Sequence, residues 1–306
     1  MTAEEPVVGV ELGGTKSVAV LARGRTIIHR VTVPTREPNA TLEALRSVLQ
    51  TWRNDQAVAA LGIGSFGPIR LNVSAPDYGQ LLKTPKPGWS GVDVLESLSR
   101  DLCVPVAIDT DVNGAALAEW RWGARHLETL CYITVGTGVG VGVVHAGRPM
   151  HGALHPEAGH MRLRRALNDQ FVGACPFHGD CVEGLISGPA LQHRFGETLG
   201  DDDPRWKLVA HDLAQLVSAL FLTLGTQRVL IGGGVGIANA SLVNIVRNQV
   251  AHDLADYLPY LDKSSVNERI LAPTFGADAG PLGAVALAYD ARARADACNS
   301  GPMRTS

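Results

Sequence analysis

The chain has 306 residues, of which 45% are hydrophobic and only 19% charged, with 34 glycines and a formal net charge of −3. That length exceeds a usual single domain, so two domains of roughly 100 to 200 residues are expected, each able to bury a core. The slight acidity, with RLRR at 162–165 the only tight basic cluster, argues against nucleic acid or an anionic membrane as partner, and five cysteines without framework spacing argue against structural disulfides.

Only the two ends, MTAEEP and RADACNSGPMRTS, lack the composition of a packed domain. The first of them is acidic where a secretory leader would be basic and then apolar. No run approaches the roughly 18 apolar residues of a spanning helix, so the expected location is the cytoplasm.

The first readable unit, PVVGVELGGTKSVAVLARG, predicts a strand, a glycine turn and a second strand. Residues 40–52 place Leu42, Leu45, Val48 and Leu49 on one helical face. AALGIGSFGPIRL reads as a buried strand entering a glycine-rich loop, and LLKTPKPGW as a proline-stiffened loop. VPVAIDTDVNGAALAEWRWG predicts a short strand ending in acids, then a helix with Asp111 or Asn113 as its N-cap.

From Leu130 the plan of strand, glycine turn and strand returns in LCYITVGTGVGVGVVHAG. A cysteine- and histidine-rich stretch (151–188) follows, then a long helix around WKLVAHDLAQLVSALFLTLG. RVLIGGGVG is a third glycine turn after a buried strand, and AGPLGAVALAYDARARA an Ala-rich closing helix with Pro281 near its start. Alternating strands and helices predict α/β layers, and the recurring hairpins predict two related halves.

None of the glycine turns fits a dinucleotide or Walker pattern. GVELGGTK has Gly14-Thr15-Lys16 where a P-loop needs Gly-Lys-Ser/Thr, and neither GTGVGVG nor GGGVG satisfies G-x-G-x-x-G. The first two are hairpin tips with a hydroxyl nearby, Thr15 in one and Thr134 and Thr137 in the other. Such tips form concave anion nests.

Two further constellations carry chemistry. Asp109 and Asp111, where a strand gives way to a helix, are both candidate general bases. Cys175-x₂-His178-x₂-Cys181 supplies three ligands suited to Zn²⁺, a structural site needs a fourth, and His155 and His160 both lie upstream. Neither HPEAGH nor CPFHGDC matches the H-E-x-x-H of a zinc hydrolase.

Taken in order, VELGGTK, SFGP, TPKPGW, DTDVNGAALAE, YITVGTGVGVG, HPEAGHM, CPFHGDCVEGLISGP and LIGGGV resemble the ROK family of sugar kinases, and within it the fructokinase branch. The resemblance runs from Val7 to about Ala291 and implies a two-domain actin-like (ribonuclease H-like) α/β fold with a cleft active site. Its boundaries are expected at 1–112 and 113–280, with a C-terminal helix over about 281–297 packing back on the first domain. It implies ATP as phosphoryl donor, Mg²⁺, a structural Zn²⁺, D-fructose as acceptor at its 6-hydroxyl, and a homodimer.

Residue by residue, the resemblance assigns Asp111 as base and Glu157, His160, Glu183 and Asn113 to the sugar. Gly13, Gly14, Thr15 and Lys16, and Gly136, Thr137 and Gly138, are assigned to the phosphates. Gly232, Gly233 and Gly234 would lie beside the adenosine, and Glu11 would act near Mg²⁺ through water. The zinc set would be His160, Cys175, His178 and Cys181. Glucokinase-type relatives carry Asn where Thr110 stands and a cysteine where His178 stands, which with TPKPGW points to fructose over glucose. Mannose and N-acylated hexosamines are the alternatives. A repressor of the same family would carry an added N-terminal helix-turn-helix, whereas the first strand here is expected at about Val7.

Overall fold

The structure, a computed structural model, describes residues 5–239 and 241–299. Positions 1–4 and 300–306 of the two polar ends lie outside the described residues. The chain divides into two compact units. The first comprises the described residues up to Trp122, His151–His155, and those from Asp278 onward; the second comprises Gly123–Met150 and Pro156–Ala277.

The first unit is built on a five-stranded sheet of order β3-β2-β1-β4-β5. Strands β1 (Val7–Leu12), β2 (Lys16–Arg23) and β3 (Thr26–Pro34) form an antiparallel meander, while β4 (Leu61–Ser65) and β5 (Val106–Thr110) run parallel to β1. The sequence reading passed over β3 because this edge strand buries no continuous face. Helix α1 (Pro38–Asp55) has Pro in its first turn and buries Leu42, Leu45, Leu49 and Trp52, a stripe at helical spacing. This stripe packs on Val8, Val10, Leu12, Leu61 and Ile63, the residues that alternation sends to one face of β1 and β4. Helix α2 (Val94–Ser99) is capped by Asp93, whose carboxylate accepts the Glu96 N–H at 2.8 Å, and α3 (Asp111–Gly123) follows β5 directly.

On the opposite face of that sheet, β1 and β4 carry Gly9 and Gly62 where the C-terminal helix approaches. A Cβ on Gly62 would lie 1.9 Å from the Ala284 carbonyl oxygen, and one on Gly9 would lie 3.0 Å from the Ala284 Cβ. The C-terminal helix (Ala279–Asn299) lies there with Ala284, Val285 and Ala288 fully buried. It begins two residues before and ends two residues after the expected 281–297, and so takes in part of the polar end RADACNSGPMRTS.

The second unit repeats the plan. Strands β6 (Thr129–Val135), β7 (Val139–His145) and β8 (Arg148–Pro149) are antiparallel neighbours, and β9 (Arg228–Gly232) and β10 (Ile270–Leu271) run parallel to β6. The order β10-β9-β6-β7-β8, taken from its other edge, matches that of the first sheet strand for strand. Helices α4 (Val182–Ile186) and α5 (Gly188–Phe195) follow the cysteine-rich segment, and α6 (Trp206–Leu224), α7 (Gly233–Gly236), α8 (Leu242–Leu254) and α9 (Val266–Arg269) complete the unit.

Helix α6 departs from the sequence expectation, since it is long and apolar enough to cross a membrane, with mean hydropathy 1.3 over 18 residues. Its Val209, Leu213, Leu216, Val217 and Leu220 instead enter one core with Ile133, Val141 and Val246. Asp212, at mid-helix and fully buried, accepts from Arg194 at 2.9 Å, which suits a helix packed in protein.

Gly62→Ala should destabilise the protein by about 3 kcal/mol or more, because helix backbone occupies the space and cannot yield as a side-chain tip would. Gly14→Ala, with nothing within 4 Å of the added carbon, should stay within about 0.5 kcal/mol of the parent. Denaturant unfolding of the two variants measures the difference.

Candidate active site

In the first unit, the register aligns Glu11 with Gly64 and Gly64 with Asp109 across three parallel strands, at the carboxyl ends where open α/β sheets bind ligands. Residues 13–16 form the turn between β1 and β2. Gly13 is required there, since a Cβ would meet the Lys16 carbonyl oxygen at 2.7 Å. Three carbonyls of the turn are held by protein donors. Thr35 donates its hydroxyl to Gly13 O (2.7 Å) and its N–H to Thr15 O (2.9 Å), and Lys86 Nζ donates to Gly14 O (2.6 Å) and Thr35 O (3.3 Å).

The start of α3 corrects the expected cap. Thr110 Oγ1 accepts the Asn113 N–H at 3.1 Å, the geometry of an N-cap hydroxyl and the third helical residue. Asp111 is the first helical residue, so neither it nor Asn113 caps the helix, and its Oδ1 accepts the Val112 N–H at 2.8 Å. Loss of hydration pushes the Asp111 carboxyl up to about 6, against the lowering by backbone hydrogen bonds. Glu11 is pushed up to about 7, by burial first and then by the charge of Asp111, while Lys16 and Arg30 oppose the shift. Two such carboxyls repel when both ionise, and a divalent cation relieves that repulsion.

Asp109 has a different environment. It is almost fully buried, and its oxygens accept from the Thr110 N–H (2.7 Å), Asn113 Nδ2 (2.8 Å) and His151 Nε2 (2.8 Å). Asn113 is itself fully buried. With its hydrogen bonds committed to protein, Asp109 is poorly placed to take a proton from a ligand, whereas Asp111 is partly exposed.

In the second unit, Gly136, Thr137 and Gly138 bridge β6 and β7 at the position that residues 13–16 hold in the first hairpin. A Cβ on Gly136 would lie 3.8 Å from the Gly234 nitrogen, which sets this turn beside Gly232–Gly234. Gly233 has φ +82°, and an added Cβ would strike Val135 backbone and the Thr134 hydroxyl. Glu183 reaches the same turn, accepting the Val139 N–H at 3.0 Å, and its Oε2 fills the space a Cβ on Gly138 would take.

The ligand atoms of His160, Cys175, His178 and Cys181 all lie within 4.8 Å of one another. Nδ1 of His160 is 3.7 Å from Cys175 Sγ and 3.6 Å from Cys181 Sγ, and Nδ1 of His178 is 3.7 Å from Cys175 Sγ. Zinc bond lengths of about 2.3 Å to sulfur and 2.05 Å to nitrogen give a tetrahedral S–N edge of about 3.6 Å, so these residues fit the ion. Burial, and Cys175 beside it, push the Cys181 thiol up, and a bound cation reverses that penalty. His155 does not join the cluster, because its Nε2 accepts the Ile69 N–H within the first unit. The other ring nitrogen of His160, Nε2, lies 3.9 Å from Glu157. Cys181 also caps α4, the helix that carries Glu183.

In the first unit the charges of Asp111 and Lys16 act on Glu11 at the end of β1, whereas Asn113, expected at the sugar, is fully buried with its amide on Asp109. The second brings together Glu157, His160 and the Cys/His cluster, and Glu183 with both glycine turns. Sequence reasoning missed Lys86 and His151. Lys86 lay in a quoted motif, TPKPGW, with no sign that it bonds a turn some seventy residues earlier; His151 carried no spacing signal.

The ROK family model matches residues 7–291. The chain belongs to the ROK family. It is 38% identical over 294 residues to a fructokinase of Zymomonas mobilis (92% of this chain, 96% of that one). A fructokinase of Pediococcus pentosaceus is 37% identical over 289 residues (92% and 97%). Among solved structures, a ROK hexokinase from Thermus thermophilus superposes with TM-score 0.72 at 26% identity, covering 93% of this chain and 98% of that one. The two matching sheets are accordingly the halves of an actin-like ATPase fold.

Purified protein should contain about one zinc per chain. Cys175→Ala or Cys181→Ala should lose the metal and lower the melting temperature sharply, since structural zinc binding is expressed as folding energy of about 10 kcal/mol. Elemental analysis and thermal denaturation read both. Lys86→Met should raise KM for ATP several-fold with smaller changes in KM for sugar, because it frees the Gly14 carbonyl and loosens the 13–16 turn. Steady-state kinetics with each substrate varied separates the two.

Proposed function

We infer that this ROK kinase transfers the γ-phosphoryl group of ATP to the 6-hydroxyl of D-fructose, giving fructose 6-phosphate. The observation that carries the choice of sugar is the similarity to several fructokinases at 35–38% identity across 92–93% of the chain. The chemistry is supported by Asp111, a part-exposed carboxylate at the start of α3 whose charge acts on Glu11 at the end of β1, beside a fixed turn in the first unit. Phosphoryl transfer asks the protein for charge neutralisation, alignment of the acceptor and one base.

Asp111 is assigned as that base. Its raised pKa keeps the carboxylate basic enough to accept the hydroxyl proton as the phosphoryl group arrives, while leaving it ionised at neutral pH. The turns at Gly13–Lys16 and Gly136–Gly138 are assigned to the phosphates, and Gly232–Gly234 to the nucleoside. Glu11, with Asp111, would hold Mg²⁺ through water, and the ion would neutralise phosphate charge during transfer.

Glu157, His160 and Glu183 are assigned to the sugar hydroxyls. His160 donates or accepts through Nε2, because Nδ1 faces the two cysteine sulfurs. A structural zinc held by His160, Cys175, His178 and Cys181 would fix that ring and the α4 start that positions Glu183. Rigid, convergent polar groups are what discriminate one polyol from another.

Coupled ADP-release assays over fructose, mannose, glucose and N-acetylmannosamine test the reading, with fructose expected to give the highest kcat/KM. Asp111→Asn should retain the fold and fructose binding and lower kcat by about 10² or more. Turnover of the parent should fall as pH drops through about 6, since only the ionised carboxylate accepts a proton; the variant should lack that limb.

A further inference from the structure

His151 takes no part in the activity derived so far, yet its setting is costly to build. Its Nε2 is bonded at 2.8 Å to Asp109, whose side chain is only 3% exposed, while the imidazole itself is 36% exposed. Asp109 is already met by the Thr110 N–H and the Asn113 amide, so its oxygens turn inward and its charge is expressed at the surface only through the imidazole. Nδ1 of His151 has no protein partner among the described residues. With Nε2–H fixed on the carboxylate, Nδ1 is the nitrogen left for a ligand.

The ring also lines a cavity of about 330 Å³, with Leu71, Asn72, Val73, Gly152 and Leu154, at the lower end of the range for small-molecule pockets. Asp109, which orients it, stands two residues before Asp111 at the end of β5, so the imidazole is held beside the strand end from which the candidate base projects. The hydrogen bond to Asp109 raises the basicity of His151 above the ordinary imidazole range; Nδ1 accepts from a ligand hydroxyl when the ring is neutral and donates to one when it is protonated.

We propose that His151 is a further sugar-binding residue, oriented by Asp109 and hydrogen-bonding a fructose hydroxyl through Nδ1. The proposal rests on the kinase reading above. Asp109 is then a positioning residue, acting through the imidazole.

The test uses His151→Gln, whose amide nitrogen can replace Nε2 as donor to Asp109 while nothing replaces Nδ1. His151→Ala, which strands a buried charge and can fail to fold, serves only for comparison. Fructose binding by calorimetry and steady-state kinetics should show Kd and KM for fructose raised several-fold, up to about tenfold, for the loss of one hydrogen bond. KM for ATP should stay within about twofold and kcat should change less than KM for fructose, the pattern of a lost binding contact. On the parent protein, the His151 ring ¹⁵N signals should shift when fructose is added. A glutamine variant with unchanged fructose affinity, or one in which ATP affinity and melting temperature fall as far as fructose affinity, overturns the proposal, as do ring signals that ignore fructose. Failure of the parent to phosphorylate fructose would instead overturn the kinase reading.

Discussion

The first unit depends on backbone meeting backbone where the C-terminal helix lies on the sheet. Space for a side chain is absent at Gly62, where the Ala284 carbonyl sits, and the same close approach recurs along the helix. Gly283 meets the backbone of Gly114, and Gly280 leaves room for the carboxylate of Glu11. One rigid helix therefore fixes the height of Glu11 at the end of β1 and the position of α3, whose first residue is Asp111. A methyl group at any of these points would move a carboxylate, and about an ångström of displacement is enough to cost a phosphoryl-transfer enzyme much of its alignment.

The second unit reaches the same end by different means. Its cysteine-rich segment is mostly loop, held by Leu163 and Phe171 against the core, by the ion pairs of Asp169 with Arg165 and Arg194, and by close backbone contacts beside the four convergent ligands. The carbonyl of Val139 occupies the place of a Cβ on Gly159, and that of Gly179 the place of a Cβ on Gly184. The segment is thereby pressed onto the hairpin that carries Gly136–Gly138. Because His160 has one nitrogen on the ligand cluster and the other toward Glu157, the geometry of the cluster is also the geometry of a candidate sugar contact. This division of an imidazole between an orienting partner and a working face recurs at His151, where the orienting partner is a buried carboxylate.

Duplication explains why both halves place a turn at the same point of the sheet. In each, the first strand pairs antiparallel with the second and parallel with the fourth, so the first hairpin opens at the carboxyl end of the parallel strands, where ligands of such sheets bind. The halves then diverge in what surrounds the turn. The first holds its carbonyls with Thr35 and Lys86, and the second sets Glu183 and a neighbouring glycine turn against it.

The sequence by itself determined the fold class, the family, the two hairpins, the helices around residues 40–52 and 206–224, and the residue types of the Cys/His cluster. These are local or strongly patterned signals: period-2 and helical spacing, glycine at tight turns, and ligands three residues apart. The edge strand Thr26–Pro34 escaped because it buries no continuous face, and the cap of α3 was misplaced because Thr110, Asp111 and Asn113 are all good capping residues. Only the backbone path tells which side chain sits one residue before the first turn. Tertiary structure alone decided that Asp109 is walled in by Asn113 and His151 while its neighbour Asp111 is left part-exposed. It also decided that His155 serves the Ile69 N–H, where spacing left it open beside His160 and only the family resemblance chose His160, and that Lys86 reaches the turn at Gly14. Apart from Asn113, four residues from Asp109, these partners are brought together by chain crossings of tens of residues, and hydration and charge at a carboxyl depend on what those crossings place beside it, which spacing along the chain does not encode.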